Sequence, residues 1–386
     1  MPKKMMVLFY ILVVYAILTS NAFALSQSVR FCFRIDINLS DASNTEGDYI
    51  INNNPIVAYG INAKVSENGT GIDLFNGWTD ADTGCTPYMT MSTLKSYYIR
   101  AYSISKSAES NYIKVHVGSG TGIYTKPLDL DFTPNGSGTC TYHWEHDPNQ
   151  SDDFNEGNVL AVASFAIRRK PAGLAAKWFE FYDETCSGDP NDGACFKNGN
   201  IYIDDGGNIA QNAKTGITHE MGHAVGYFSN GNQGALHSYS DTGSNLVCAS
   251  TDDGHNSHSR EYQRAAAVEG IAHFYAAAVY NIQNEGDCTF RTEDCEIMAD
   301  WLHNQCREPY DNRGVENDWL RFWWDVYNVF DLNVDDIFNI WNYANPNTWT
   351  DESVYYRFRN VAMNQGFNMA TWDLLGMHNG VYEGTW

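Results

Sequence analysis

The sequence predicts an α+β protein: an N-terminal all-β, sandwich-like domain over 25–148, then a mainly helical domain with a small sheet over 149–386. Three observations predict it. Residues 29–37, 97–104 and 112–117 alternate apolar and polar side chains with a period of two, the pattern of half-buried strands, and Asn, Gly, Ser and Asp clusters punctuate them. From Asn155 the apolar period becomes helical, beginning with 159–167. Past 281 the chain carries aromatic-rich helical stretches, 316–327 and 334–343 among them.

In chain order, residues 1–24 read as a secretory signal. Lys3 and Lys4 form the positive region, 5–18 the apolar region, and Ala22-Phe23-Ala24 a small-residue cleavage site. The expectation is a mature chain starting near Leu25, exported to an extracellular or periplasmic space. No later run reaches the length of a membrane helix, so no membrane insertion is expected after cleavage. The formal charge of −23 argues against nucleic acid or anionic lipid as a partner. Nine cysteines occur without a single C-x-x-C pair, which favours disulfides over cysteine–metal sites in an exported chain. Cys186 and Cys195 bracket a turn-rich loop and are the pairing expected first. Cys288, Cys295 and Cys306 form a second cluster, while Cys32, Cys85 and Cys140 lie in the N-terminal part.

Within that part, Asp80-Ala81-Asp82-Thr83-Gly84 is a fragment of a calcium-loop pattern. The later acidic ligands are missing, so an ordinary turn is the better reading. His143, His146 and Asp147 sit in a polar stretch that reads as a linker. Arg168, Arg169 and Pro171 close the helix at 159–167. Short strands at 178–182 and 200–204 then lead, through the turn 204–207, to the densest stretch of the chain.

That stretch is Thr218-His219-Glu220-Met221-Gly222-His223-Ala224-Val225-Gly226. On a helix His219 and His223 project from one face, a turn apart, which suits a small tetrahedral cation such as zinc. Glu220, beside the first histidine, is placed to take a proton from water rather than to bind the metal. Ile217, Met221, Ala224, Val225 and Phe228 supply an apolar back face.

These residues form H-E-x-x-H, and the stretch resembles the active-site helix of the zincin metallopeptidases, which an edge strand likewise precedes. A third protein ligand is required. The longer metzincin pattern is met through Gly226 and then fails, because Ser229 stands where its last histidine belongs. His237, His255 and His258 are candidates from loops. Glu269 is the candidate on a helix, 259–280, where an alanine-rich setting makes an unpaired carboxylate costly. Glu269-Gly270-Ile271-Ala272-His273-Phe274 resembles the glutamate-helix segment of gluzincin-like secreted peptidases, and that resemblance implies Glu269 as the ligand. Gly270 is expected to let two helices approach closely around the metal. Residues 229–257 then form a long insertion over the cleft. His273 stands where the family more often has an aspartate orienting the first histidine; it either keeps that hydrogen bond or is an ordinary packed histidine.

The resemblance implies a secreted zinc metallopeptidase acting on protein or peptide substrates. Zn2+ would be held by His219, His223 and Glu269, with Glu220 as general base. His258, and after it His255 and Tyr262, are candidates for stabilising the oxyanion. Two rivals stand beside it: a binding or adhesive protein with an inactive zincin-like scaffold, and a zinc hydrolase of a non-peptide bond.

Overall fold

A computed structural model describes residues 26–36, 56–108, 110–116, 122–144, 151–170, 172–174, 176–182, 184, 194–203, 214–235, 260–284, 288–290, 293–294 and 313–382. The expected signal segment, Cys186, the 204–207 turn and His237, His255 and His258 lie outside these residues.

The N-terminal strands are β1 (Ser26–Ile35), β2 (Ile56–Val57), β3 (Ile61–Glu67), β4 (Asp73–Trp78), β5 (Met89–Ser92), β6 (Tyr97–Lys106), β7 (Tyr112–Val115), β8 (Thr125–Phe132) and β9 (Gly138–Trp144). Three of them, β1, β6 and β7, are the period-two segments of the sequence. In β6 the buried Tyr97, Ile99, Ala101 and Ser103 alternate with half-buried Tyr98, Arg100 and Tyr102, as a pleat requires. One sheet has the order β2-β1-β5, with β9 parallel to β1; Cys32 and Cys85 are joined by a disulfide beside it. The second runs β7-β6-β3-β4, with β8 also on β6.

This second sheet does not stop at residue 148. Helix α1 (Ser151–Arg169) crosses to β10 (Trp178–Tyr182), which pairs parallel with β7. A parallel pair needs such a crossover. After β11 (Ala194–Lys197) comes β12 (Asn200–Ile203), parallel to β10 and antiparallel to β11. Strands from either side of the expected 148/149 boundary are therefore hydrogen-bonded neighbours. Buried residues from Val29 to Val381 form one hydrophobic cluster.

The helices follow as α2 (Lys214–Ser229), α3 (Gln263–Tyr280), α4 (Glu316–Val329), α5 (Val334–Ala344), α6 (Val354–Asn364) and α7 (Met369–His378). Two-residue to three-residue strands pair before and after α3: β13 (Arg260–Tyr262), β14 (Thr289–Phe290), β15 (Glu293–Asp294) and β16 (Arg313–Val315), as β13–β16 and β14–β15. Helix α1 packs on β6, β7 and α2; α2 packs on α3 and α5; α3 packs on α4. The α+β class expected from the change of period is the class observed.

The aspartate pattern at 80–84 is a turn. Asp80 Oδ1 accepts from the backbone of Asp82 and Thr83 at 3.1 and 2.8 Å and from the Thr83 hydroxyl at 2.8 Å. His143 lies in β9 with Nδ1 3.1 Å from Asp36 Oδ1, while His146 and Asp147 are outside the described residues. Cys195 and Cys288 are disulfide-bonded, and because Cys186 lies outside the described residues the expected Cys186–Cys195 pairing is not among the described bonds. Among the described residues Cys140 is the free thiol.

Candidate metal centre

Helices α2 and α3 make the site. The alanines at 265–267, 272 and 276–278 favour α3 as a helix and keep it thin enough to be buried on nearly every side. Gly222 of α2 lies tight against it: an added Cβ would lie 2.7 Å from Ala272 Cα and 2.8 Å from its carbonyl oxygen. The missing side chain is thus a requirement of the crossing. Gly270, expected from sequence to serve there, faces another way: a Cβ on it would run into Trp319 Cβ of α4. A second tie between α2 and α3 is the 3.0 Å hydrogen bond between the Thr218 and Tyr280 hydroxyls.

At this crossing three donors converge. His219 Nε2 and His223 Nε2 are 3.2 Å apart, and each is 3.1 Å from Glu269 Oε2. A tetrahedral ion bound at about 2.0–2.1 Å holds its ligand atoms roughly 3.3–3.4 Å from one another, so this near-equilateral triangle has the size of one coordination face. The group is buried and could hold a metal ion. Glu220 stands outside the triangle, with Oε1 3.9 Å from His219 Nε2, and lines the same cleft.

Burial, with His273 alongside, holds His219 well below the ordinary histidine range, so its ring is neutral and keeps a lone pair to donate. Burial also acts to raise the Glu269 carboxyl. His223, together with the hydrogen bonds from both histidines, outweighs it and holds Glu269 well below the usual carboxylate range. A neutral imidazole and an ionised carboxylate are the protonation states that a cation selects.

Of the two expected roles for His273, the described contacts match the packed histidine. Its ring packs against that of His219, centroids 4.3 Å apart, and its Nε2 lies 2.8 Å from Glu316 Oε2. Among the described residues, His219 Nδ1 is buried without a hydrogen-bond partner. Ser229 ends α2 and is not part of the triangle. Tyr262 ends β13, two turns before Glu269, and is not among the residues lining the cleft.

The cleft, about 280 Å3, adds residues the motif did not name. Phe196 of β11 lies with its ring 6.5 Å from that of His223 and 5.3 Å from Tyr227. Tyr227 had a local signal, being one turn beyond His223 on the same helix face. Trp341 arrives from α5, more than a hundred residues away, with no local signal at all. Gly234 and Ala235, the first part of the expected insertion, also line the cleft. No protein-family model matches this chain, and no curated protein matches its sequence.

Proposed function

We propose that the protein is a secreted, zinc-dependent metallopeptidase of the gluzincin type. The observation that carries this reading is the arrangement of four side chains: His219, His223 and Glu269 spaced as one face of a tetrahedron, with Glu220 beside but outside it. A mixed imidazole–carboxylate set of this size suits zinc better than the oxygen-only ligands of calcium or magnesium. When bound, zinc would lower the pKa of a water molecule and polarise a carbonyl. Glu220, held at the cleft wall, accepts the proton as water attacks the peptide carbonyl and passes it to the leaving amine. His219 and His223, fixed on one rigid helix, keep the donors in place; Glu269 adds the third from a second rigid helix.

The edge of the sheet favours a peptide over a small ester. Among the described residues β11 is the terminal strand of its sheet, and its residues 194–196 line the cleft. An extended chain adding to that edge by main-chain hydrogen bonds would run past the triangle. Export is supported by the Cys32–Cys85 disulfide, which suits an oxidising compartment. The test is casein or peptide hydrolysis by purified protein of measured metal content. Activity should vanish with a chelator and return with added zinc. Hydrolysis that persists in metal-free protein, or metal-replete protein that cleaves no peptide, refutes the reading.

A further inference from the structure

A second cavity lies between the carboxyl end of α1 and the end of β6. It measures about 290 Å3, close to the lower end of the roughly 300–1,000 Å3 of small-molecule sites. Ser164, Ile167, Arg168 and Arg169 of α1 form one wall, with Ser105 and Ser107 opposite. Three basic residues, Lys106, Arg168 and Arg169, line it against one acid, Asp82, in a chain of net charge −23. Lys106 turns its amino group to the Tyr112 ring, 5.5 Å from the centroid, so the arginines supply the charge. Two arginines in a last helical turn complement the helix dipole by themselves. The dipole does not account for Ser105. That residue is 2% exposed and lines the cavity, yet among the described residues its hydroxyl makes no hydrogen bond. A buried hydroxyl without a partner is costly, and a ligand in the cavity would supply one.

We propose that this cavity binds an oxyanion group, phosphate or sulfate, carried on a molecule of about sugar size. The chemistry follows from the donors it still has to give. Arg168 sends Nη2 and Nε to Asp82 Oδ1, at 2.8 and 3.3 Å, and lies 4.4 Å over the Tyr59 ring. Those contacts hold the guanidinium in place and leave its remaining N–H groups to donate. Ser107 Oγ accepts from the Asn111 N–H at 3.2 Å and keeps its own proton to give, and Ser105 adds a second hydroxyl. Ser164 has already given its proton to Leu160 O at 2.6 Å. Acceptors are scarcer, since the Asp82 oxygen is taken by Arg168 and the rest of that side chain is largely in water. A group rich in acceptors and negative charge matches this surplus of donors. The two arginines also offset the negative end of the α1 dipole, which an anion meets there. A bare ion would leave much of the volume unfilled, which favours an ester. The site shares no described lining residue with the metal cleft, so its occupation does not depend on peptide cleavage.

The test uses the full chain and four probes in calorimetry: glucose 6-phosphate, glucose, inorganic phosphate and inorganic sulfate. One glucose 6-phosphate per chain should bind with a submillimolar Kd that weakens as salt rises, and glucose at least about tenfold more weakly. Ser105→Ala should cut the affinity for the phosphate ester about tenfold, the loss of one hydrogen bond to a charged group. The same variant without ligand should melt at the wild-type temperature or above it, because an unpartnered buried hydroxyl has gone. A purely structural Ser105 would give the reverse, a lower Tm with affinity unchanged. Arg168→Gln should weaken the ester about tenfold or more, flatten the salt dependence and leave glucose unaffected. The ester should raise Tm in the wild type and much less in either variant. Inorganic phosphate or sulfate bound as tightly as the ester supports the site with the free ion as its ligand; tighter binding of the ester supports the larger molecule. The proposal is overturned if none of the anions binds, if glucose binds as tightly as its phosphate, or if anion binding survives both substitutions and so lies elsewhere. Should Arg168→Gln fail to fold, Ser105→Ala decides, since it removes only an oxygen atom.

Discussion

Gly222→Ala is the substitution whose effect the crossing of α2 and α3 fixes most tightly. Taken alone, alanine for glycine in a helix interior gains up to about 1 kcal/mol. The added Cβ, however, would meet Ala272 at 2.7 Å to Cα and 2.8 Å to the carbonyl oxygen, both backbone atoms that no rotamer change can move. Ordinary contact begins at 3.4 Å, so the helices must part by about 0.7 Å. Overpacking of this kind costs about 1–3 kcal/mol; towards the upper end, as expected against immovable backbone, this leaves a net loss of up to roughly 2 kcal/mol after the helix gain. The same displacement carries Glu269 away from His219 and His223, whose donors now stand 3.1 Å from it. Metal ligand distances tolerate only about 0.2 Å, so zinc affinity should fall about tenfold or more. Gly226→Ala is the control: on the same helix, its Cβ lies 3.5 Å from Trp341, so it should hold or raise stability and keep the metal. Thermal unfolding with and without zinc, together with competition against a coloured chelator, measures both quantities. A Gly222→Ala protein as stable as wild type, with unaltered zinc affinity, would refute the argument.

Other consequences are as direct. Glu269→Ala should weaken zinc binding strongly with far-ultraviolet circular dichroism nearly unchanged; retention of zinc at wild-type affinity would remove Glu269 from the ligand set. Replacing Cys32 and Cys85 together by serine opens a 53-residue loop and should lower stability by about 4 kcal/mol in the loop-entropy model, read from urea unfolding; no loss would show that the bond is incidental. Asp373 is held below the ordinary aspartate value by its hydrogen bonds from Arg359 at 2.7 and 2.8 Å, aided by the Tyr355 hydroxyl. A depressed carboxyl stabilises the fold above its unfolded pKa and ceases to do so as pH falls through the folded value. Asp373→Asn should therefore lose about 1 kcal/mol at pH 7, a figure discounted for partial exposure, and the difference should shrink below pH 3.8. A difference that grows on acidification would contradict the sign.

What was legible in the sequence was local. The period of two marked β6 and β7, and the helical period marked α2 and α3, because side chains a few residues apart report the face they share. Those same periods put His219 and His223 on one face and Glu269 on a second helix, and the two faces do meet. What failed to show was contact between distant segments. The pairing of β7 with β10 joins strands that the change in period had assigned to separate domains, and nothing in either strand encodes its neighbour. Gly270 was the expected close-approach glycine, yet it lies about 100° round the helix from Glu269 and meets α4, while Gly222 on the partner helix admits α3. Trp341 could not be foreseen for the same reason: its α5 spacing fixes a buried face but not the cleft that face closes. The cysteines pointed to disulfides and not to their connectivity, since three N-terminal sulfurs allow more than one pairing and only the fold brings Cys32 beside Cys85.

The central claim is that Glu220 works on water at a metal held by its neighbours. Its most direct test measures bound zinc and peptide hydrolysis on the same preparations of wild type and Glu220→Gln. One zinc per chain in both proteins, with hydrolysis lower in the variant by roughly two orders of magnitude or more, is the predicted result. A variant that cleaves peptides at the wild-type rate, or that loses its zinc while remaining folded, would contradict it.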